Sequence, residues 1–150
     1  FTLLHGNPRT GNIFFLKGPG ARSMPAFLDW QCVCMGKGMV DLSYFIVDAF
    51  DPAQQKEAEA ELVQMYYESL QLQGVFGYSL EQAWQDYRMA LMFWPLFVSI
   101  WFGSQQIEEV VDQDFPARVV PSTFAAILRH KAVSLLPDFA AMDISHRCKK

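Results

Sequence analysis

Residues 5–12, His-Gly-Asn-Pro-Arg-Thr-Gly-Asn, are followed by an apolar run and then, at residues 27–30, by Phe-Leu-Asp-Trp. Two short apolar runs, 13–16 and 26–28, flank a segment that is rich in Gly, Pro and Ser. This pattern predicts a β-hairpin with a long loop. In an antiparallel pair the first strand begins beside the end of the second. The side chains of Asn12 and Asp29 should therefore emerge at the same end of the hairpin.

The convergence of Asn12 and Asp29 has two interpretations. Two oxygen-bearing side chains held together by one β unit make a candidate cation site, because neither lies on a flexible tail. The simpler alternative is a turn asparagine and a strand-end aspartate, since both residue types favour such positions.

Length and composition limit the possible classes of protein. A chain of 150 residues that is 51% hydrophobic can bury one sizeable core, which predicts a single compact unit over 1–150. The formal charge of -4, with no basic stripe, argues against a nucleic-acid partner. Three cysteines without C-x-x-C spacing indicate reduced thiols, and so a cytoplasmic protein. The apolar stretch 90–102 is shorter than the roughly 20 residues of a membrane span, which predicts a buried helix instead.

Helical signals dominate after residue 30. A first helix is predicted over 38–50, and a second opens at the capping-box sequence 51–54 and runs to about residue 73. A third begins with the capping box at 79–82, and Pro95 is expected to kink it rather than end it, because the apolar content continues to residue 102. A last helix is predicted over 122–136. The expected inward face of the second helix is Ala58, Leu62, Met65, Tyr66 and Leu70.

Four segments together resemble a known group of enzymes. These are His-Gly-Asn-x-x-x-x-Asn at 5–12, Asp-Trp-Gln at 29–31, Asp-Leu-Ser-Tyr-Phe at 41–45 and Trp-Gln-Asp-Tyr-Arg at 84–88. In this order and spacing the chain resembles the aminoglycoside phosphotransferase and choline kinase-like superfamily, and more narrowly its ecdysteroid-kinase-like branch.

The resemblance implies a fold and a missing partner. The fold class expected is α+β, mainly α, with the hairpin carrying the catalytic and metal loops on a helical bundle, as in the C-terminal lobe of protein kinase-like enzymes. The N-terminal lobe of such enzymes, with its sheet and its ATP-clamping Lys, is not expected within these residues. Without that lobe the chain should bind ATP weakly, because much of the nucleotide pocket lies between the two lobes.

The resemblance also assigns roles to individual residues. It implies ATP and Mg²⁺ as cofactors, with Asn12 and Asp29 as the cofactor-binding metal ligands. It implies that His5 and Asp41 brace the catalytic loop. Asn7 stands where the family has its catalytic Asp.

Asn7 is a departure from the family pattern, and it leaves two functions open. An amide has nearly the shape of a carboxylate, but it is neutral and cannot accept the proton of an attacking hydroxyl. A general base contributes typically about 10²- to 10⁴-fold, so slow phosphoryl transfer to a hydroxyl of an alcohol, amino alcohol or sterol-like substrate is compatible with Asn7. An inactive pseudokinase that acts as a binding or regulatory module is equally compatible.

The substrate contacts are predicted from the Trp-Gln-Asp-Tyr-Arg element. Asp86 could face a cationic or hydroxylated substrate, and Trp84 is the second candidate. The alternative for Asp86 is a surface carboxylate paired with Arg88 or another neighbour. If the motif spacing were accidental, the chain would be a helical interaction protein unrelated to kinases.

Overall fold

The computed structural model of the protein describes residues 1–18, 23–104, 106 and 114–137. Two pairs of short strands and five α-helices occupy these residues. The strands are β1 (Thr2–Leu4), β2 (Ile13–Lys17), β3 (Ser23–Phe27) and β4 (Cys34–Gly36). The helices are α1 (Met39–Ala49), α2 (Pro52–Leu72), α3 (Leu80–Leu91), α4 (Phe93–Gly103) and α5 (Phe115–Arg129). The predicted α+β, mainly helical class is therefore confirmed.

The predicted hairpin is present. β2 and β3 pair antiparallel, with Ile13 opposite Phe27 and Lys17 opposite Ser23, so both strands reach further into the connecting segment than expected. A second antiparallel pair, β1 with β4, was not predicted from the sequence. Strands of three residues give too few alternating positions to stand out as a pattern.

Both predicted capping boxes are present. The side chain of Asp51 accepts hydrogen bonds from the backbone N–H groups of Ala53 and Gln54, and Oε1 of Gln54 accepts one from the backbone N–H of Asp51. Ser79 and Gln82 make the same reciprocal pair at the start of α3. These contacts satisfy N–H groups that the first turn of a helix leaves without partners. The starts of α2 and α3 agree with the prediction for this reason.

The third predicted helix is divided in two. α3 ends at Leu91 and α4 begins at Phe93, with Met92 between them. Pro95 has no N–H, and its ring meets the carbonyl of the residue four positions earlier, so a helix cannot pass smoothly through Leu91. The predicted kink is thus a break, three residues before the proline.

The last helix starts and stops earlier than predicted. α5 begins at Phe115 and holds Pro121 in its interior. Phe115 and Val119 are buried, and this packing offsets the hydrogen bond that Pro121 removes. The helix ends at Arg129 because Lys131 adopts a left-handed backbone with φ of 49°.

The inward face of α2 was predicted in part, since Leu62 and Tyr66 pack against the core as expected. Met65 is 53% exposed, whereas Gln55, Glu59 and Val63 are buried. Glu59 binds Arg129 through both carboxylate oxygens, at 2.7 and 2.9 Å, and contacts Nε2 of His130 at 2.8 Å. A buried carboxylate needs such partners. An apolar pattern cannot reveal a polar inward face, since it counts only hydrophobic side chains.

The core lies where α1, α3 and α5 meet, with α2 and α4 against its sides. It is formed by fully or nearly fully buried side chains that include Met39, Ile46, Val47, Tyr87, Leu91, Trp94 and Val119. The β2–β3 hairpin projects from this bundle. Within the described ranges, no helix combines the length and apolar character that crossing a membrane requires. Cys148 lies outside the described residues.

Candidate active site

The end of the hairpin brings Asn12 and Asp29 together. The backbone N–H of Leu28 donates to the carbonyl of Asn12 at 2.9 Å, which closes the ladder at this end. Nδ2 of Asn12 lies 3.4 Å from Oδ2 of Asp29. The geometric prediction of convergence is confirmed, while the metal-binding role of the two residues stays a prediction.

The backbone of Asp29 is in a left-handed conformation, with φ of 62° and ψ of 59°. Residues other than Gly pay an energetic cost of about 1–2 kcal/mol there, although Asp tolerates it better than most. Such conformations cluster at functional sites, because the surrounding structure must hold them in place. The conformation turns the chain directly after β3 and sets Asp29 beside the loop at 5–12.

Asn7 has a partner at each end of its side-chain amide. The phenol of Tyr44 donates to Oδ1 at 2.9 Å, and Nδ2 donates to Oδ2 of Asp29 at 3.3 Å. The carbonyl of Asn7 also accepts a hydrogen bond of 2.9 Å from Nδ2 of Asn12. The three side chains of Asn7, Asn12 and Asp29 therefore form one polar cluster, in which Asp29 is exposed and the two asparagines are half-buried.

Asp41 holds the beginning of the loop. Its two carboxylate oxygens accept hydrogen bonds from the backbone N–H groups of His5 and Gly6, at 2.6 and 3.0 Å. Nδ1 of His5 accepts from the N–H of Asn7 at 3.2 Å, so its Nε2 must carry the proton that is donated to the carbonyl of Leu28 at 2.8 Å. His5 thus links the loop to the end of β3. This geometry is compatible with the bracing roles predicted for His5 and Asp41.

Two further residues of α1 hold the loop, and sequence reasoning missed both. Tyr44 contacts Asn7, and the buried Asp48 accepts hydrogen bonds from the backbone N–H and the hydroxyl of Thr10, at 2.6 and 2.7 Å. With Asp41 they are spaced i, i+3 and i+7, which places them on one face of the helix. That spacing of polar residues in an otherwise apolar helix was the signal available in the sequence.

Tyr44 is a hydrogen-bond donor at any physiological pH. Burial raises the pKa of its phenol, and the neighbouring carboxylate of Asp48 raises that pKa further. The phenol therefore keeps its proton. Its contact with Oδ1 of Asn7 does not depend on a change in its charge.

The side-chain oxygens of Asn12 and Asp29 suit a hard cation that is also coordinated by ligands from outside the protein. Asp29 offers a carboxylate and Asn12 an amide oxygen, and the side-chain hydrogen bonds described for Asn12 are donated by its Nδ2. Among the residues that the structure describes, no three His, Cys, Asp or Glu side chains are grouped closely enough to hold a metal alone. Mg²⁺ commonly binds through one or two protein oxygens together with phosphates and water. The residues therefore fit Mg²⁺ in company with a phosphate ligand.

The predicted substrate residues make no described contact with the loop cluster. Asp86 accepts a hydrogen bond of 2.9 Å from the phenol of Tyr78 and lies 3.1 Å from Nζ of Lys37, in a pocket of about 420 Å³. Arg88 does not pair with it in the described contacts, and donates instead to the carbonyls of His130 and Lys131. No described contact joins Asp86 to the loop cluster. Its substrate role remains untested.

Trp84 packs in the helical bundle. Its ring lies 5.7 Å from that of Tyr87 and 5.5 Å from that of His130. No described contact links it to Asn7, Asn12 or Asp29. Its substrate role likewise remains a prediction.

An apolar pocket of about 600 Å³ lies between the hairpin and the helices. His5 and Asp41 form part of its wall, so it adjoins the loop cluster. The hairpin contributes Ile13, Phe15, Pro25 and Phe27. The opposite face of the hairpin carries Phe14, Leu16 and Met24, which are more than half exposed.

Comparison with known proteins agrees with the motif resemblance. The sequence model of the Ecdysteroid kinase-like family matches residues 1–74. Neither the curated proteins nor the solved structures give a match. The family indicates a small-molecule kinase-like function, with general use of ATP and Mg²⁺. The part of the chain that is similar to the ecdysteroid kinase-like family is therefore residues 1–74, which contain the loop cluster and the α1 residues that hold it.

Proposed function

We propose that this chain is the C-terminal lobe of a small-molecule kinase that transfers the γ-phosphoryl group of ATP to a hydroxyl of an alcohol, amino alcohol or sterol-like substrate. The observation that carries the proposal is the clustering of Asn7, Asn12 and Asp29 at one exposed hairpin end. Nδ2 of Asn7 and Nδ2 of Asn12 lie 3.3 and 3.4 Å from the same carboxylate oxygen. The match of residues 1–74 to the Ecdysteroid kinase-like family supports the reaction class.

Each residue of the site has a definable task in this proposal. Asp29 and Asn12 would hold Mg²⁺, and Asp41 and His5 keep the loop in the shape that presents them. The chemistry that bound MgATP supplies is a transferable phosphoryl group with part of its charge neutralised. Catalysis of phosphoryl transfer rests mostly on positioning and electrostatics, so a fixed loop is the main contribution of the protein.

Asn7 limits the rate in this proposal. Its amide can orient a hydroxyl through a hydrogen bond, but it cannot take the proton. The reaction would then depend on solvent or the phosphate itself to accept that proton. Slow turnover is the expected consequence.

Restoring a carboxylate at position 7 tests the proposed function. Asn7→Asp is expected to raise kcat by about 10²- to 10⁴-fold, because it restores a general base. The measurement is ATP-dependent phosphorylation across a panel of hydroxyl compounds, with a longer protein that includes an N-terminal lobe.

Glu68→Gln is the matched control for this experiment, since Glu68 is an exposed carboxylate on α2 that contacts Gln64. It should leave the rate unchanged. No turnover in either the wild type or Asn7→Asp, with every compound of the panel, would contradict the kinase proposal.

A pseudokinase is the second candidate, and one observation favours it. Both ends of the Asn7 amide are already engaged, by Tyr44 and by Asp29, so the group is satisfied without a substrate. In that case the chain would serve as a binding or regulatory module. Nucleotide binding without turnover, and no gain from Asn7→Asp, would support this function over the first.

The partners and location are part of the proposal. An N-terminal lobe would cover the hairpin, and the exposed apolar side chains of Phe14, Leu16 and Met24 support such a partner.

The contact of Asp86 with Lys37 and Tyr78 supports a polar substrate contact only if a ligand displaces Lys37. We place the protein in the cytoplasm, and the free thiols of Cys32 and Cys34 agree with a reducing compartment.

A further inference from the structure

The two partners of the Asn7 amide select the same orientation. Tyr44 donates to Oδ1 at 2.9 Å, and the carboxylate of Asp29 accepts from Nδ2 at 3.3 Å. Inverting the amide would set Oδ1 against the Asp29 carboxylate, and two acceptors repel each other. Without a cation, Asp29 alone is sufficient to keep the nitrogen on its side.

A cation on Asp29 removes that preference. The ion would attract the oxygen of the amide and repel the partly positive N–H groups. Tyr44 is then the one described contact that still favours the original orientation, because its phenol hydrogen bond needs Oδ1 on the far side. The orientation of the Asn7 amide therefore depends on Tyr44 more strongly when a cation is bound to Asp29 than when the site is empty.

Tyr44 is held firmly enough for this task. Its side chain is 4% exposed, and its ring lies 4.2 Å from that of Trp94 and 5.9 Å from that of Phe97. It also belongs to α1, the helix that holds the loop through Asp41 and Asp48. Its hydroxyl therefore stays at a fixed point relative to the loop.

We propose that Tyr44 is a positioning residue that keeps Oδ1 of Asn7 away from a cation held by Asp29, and this inference rests on the proposed function. Position 7 then presents a hydrogen-bond donor to the cation-binding carboxylate and contributes no ligand to the ion. The substitution of Asp by Asn and the presence of Tyr44 act together to weaken divalent cation binding. The residue at position 44 thus sets the cation affinity of the site through the orientation of Asn7.

The test is titration with Mn²⁺ alone, followed by electron paramagnetic resonance, without nucleotide or substrate. Tyr44→Phe is expected to bind Mn²⁺ about threefold to tenfold more tightly than the wild type, the equivalent of one hydrogen bond that no longer opposes inversion. In Asn7→Asp the same change at Tyr44 should alter affinity by less than about twofold, because a carboxylate presents an oxygen on either side.

This pattern separates positioning from a structural role. Loss of packing or stability would weaken Mn²⁺ binding in both backgrounds, whereas positioning predicts tighter binding in the Asn7 background alone. Tyr78→Phe is the control, because it removes a phenol hydrogen bond to Asp86, a residue that makes no described contact with Asn7 or Asp29. It should leave Mn²⁺ affinity unchanged.

Three results would overturn the inference. Tyr44→Phe could bind Mn²⁺ no more tightly than the wild type, or the change at Tyr44 could alter affinity equally in both backgrounds. The third result is no Mn²⁺ binding by the wild type, by either single variant or by the double variant. The proposed function fails separately. If phosphorylation is absent but the Mn²⁺ pattern holds, the kinase proposal alone is lost. If phosphorylation occurs and the pattern is missing, the role of Tyr44 alone is lost.

Discussion

Gly6 lies at the tightest point of the loop, for two separate reasons. Its φ is +79°, in the left-handed region that other residues adopt at a cost. A Cβ at this position would also run into the backbone carbonyl oxygen of Cys32. Because that obstacle is backbone, it cannot move aside as a flexible side chain would. Glycine is therefore required both by conformation and by space.

Comparison with Gly74 separates these two requirements. Gly74 has a similar φ of +85°, and a Cβ there would meet nothing within 4 Å. Gly74→Ala should cost about 1 kcal/mol of unfolding free energy, the conformational part alone. Gly6→Ala should cost clearly more, about 3 kcal/mol, because the overlap with Cys32 is added. Urea denaturation of both variants measures the difference, and equal losses would show that the contact with Cys32 is unimportant.

The residues of the loop cluster differ in how far the sequence reveals them. Asn7, Asn12 and Asp29 stand at motif spacings, and hairpin geometry alone predicts that Asn12 and Asp29 converge. In the sequence Tyr44 is only one residue of a motif, because its contact with Asn7 depends on how α1 packs beneath the loop. Local spacing places Tyr44 on the same face of α1 as Asp41 and Asp48, but it does not encode which part of the loop that face contacts.

At the scale of elements, α1 acts as a support for the whole loop. Asp41, Tyr44 and Asp48 lie on one face, and each contacts a successive part of residues 5–10. The side chain of Asp48 is fully buried and also lies 3.4 Å from Nη2 of Arg118. Hydrogen bonds to a buried charge are stronger than neutral ones, so Asp48 fixes the turn that carries Asn12.

Neutralising Asp48 tests this support. Asp48→Asn should lower the unfolding free energy by about 2 kcal/mol. The neutral amide would accept weaker hydrogen bonds from Thr10, and its NH₂ group would face a donor where the carboxylate has an acceptor oxygen. Asp51→Asn is the matched control, since Asp51 is an exposed N-cap and Asn caps helices equally well. The control should change stability by less than about 0.5 kcal/mol. Urea denaturation serves as the measurement, and equal losses in the two variants would contradict a special role for Asp48.

The elements show which sequence signals are reliable. Capping residues located the starts of α2 and α3, because each cap satisfies specific N–H groups in its own vicinity. The division at Met92 and the early start of α5 were not predicted. Both depend on a balance between proline and burial, as with Pro121, whose lost hydrogen bond is offset by the packing of its neighbours. That balance is set by the tertiary structure.

At the scale of the whole molecule, Glu59 joins three helices. It lies on α2, binds Arg129 at the end of α5, and accepts a hydrogen bond of 3.3 Å from the phenol of Tyr87 on α3. Burial raises the pKa of Glu59, but the hydrogen bonds from His130 and Arg129 outweigh it, so the net pKa is lowered. The folded state therefore prefers the charged form.

The sign of the pH dependence follows from that lowered pKa. The stabilisation by Glu59 is fully present above its ordinary pKa of 4.5 and is lost as the pH falls through the lower folded value. Glu59→Gln should lower stability by about 3 kcal/mol at pH 7, because it leaves Arg129 without its charged partner. It should also flatten the decline in stability below pH 4.5.

Thermal unfolding between pH 3 and pH 7 measures this prediction. Glu68→Gln removes an exposed carboxylate from the same helix and should keep the steep acid decline of the wild type. An unchanged pH profile in Glu59→Gln would show that another group controls acid unfolding.

The β2–β3 hairpin is expected to open locally before the helical bundle unfolds. A two-stranded ribbon is marginal by itself in water, and β2 and β3 pair only with each other among the described strands. Asn12 directly precedes β2 and Asp29 follows the end of β3, so the two residues face each other at the base of the hairpin. An ion coordinated by both side chains would cross-link the two ends of the hairpin. Separation of the strands would then require release of the ion, so cation binding would oppose fraying. Backbone amide exchange at Leu28, whose N–H bridges the two strands, would then slow with each increment of bound cation.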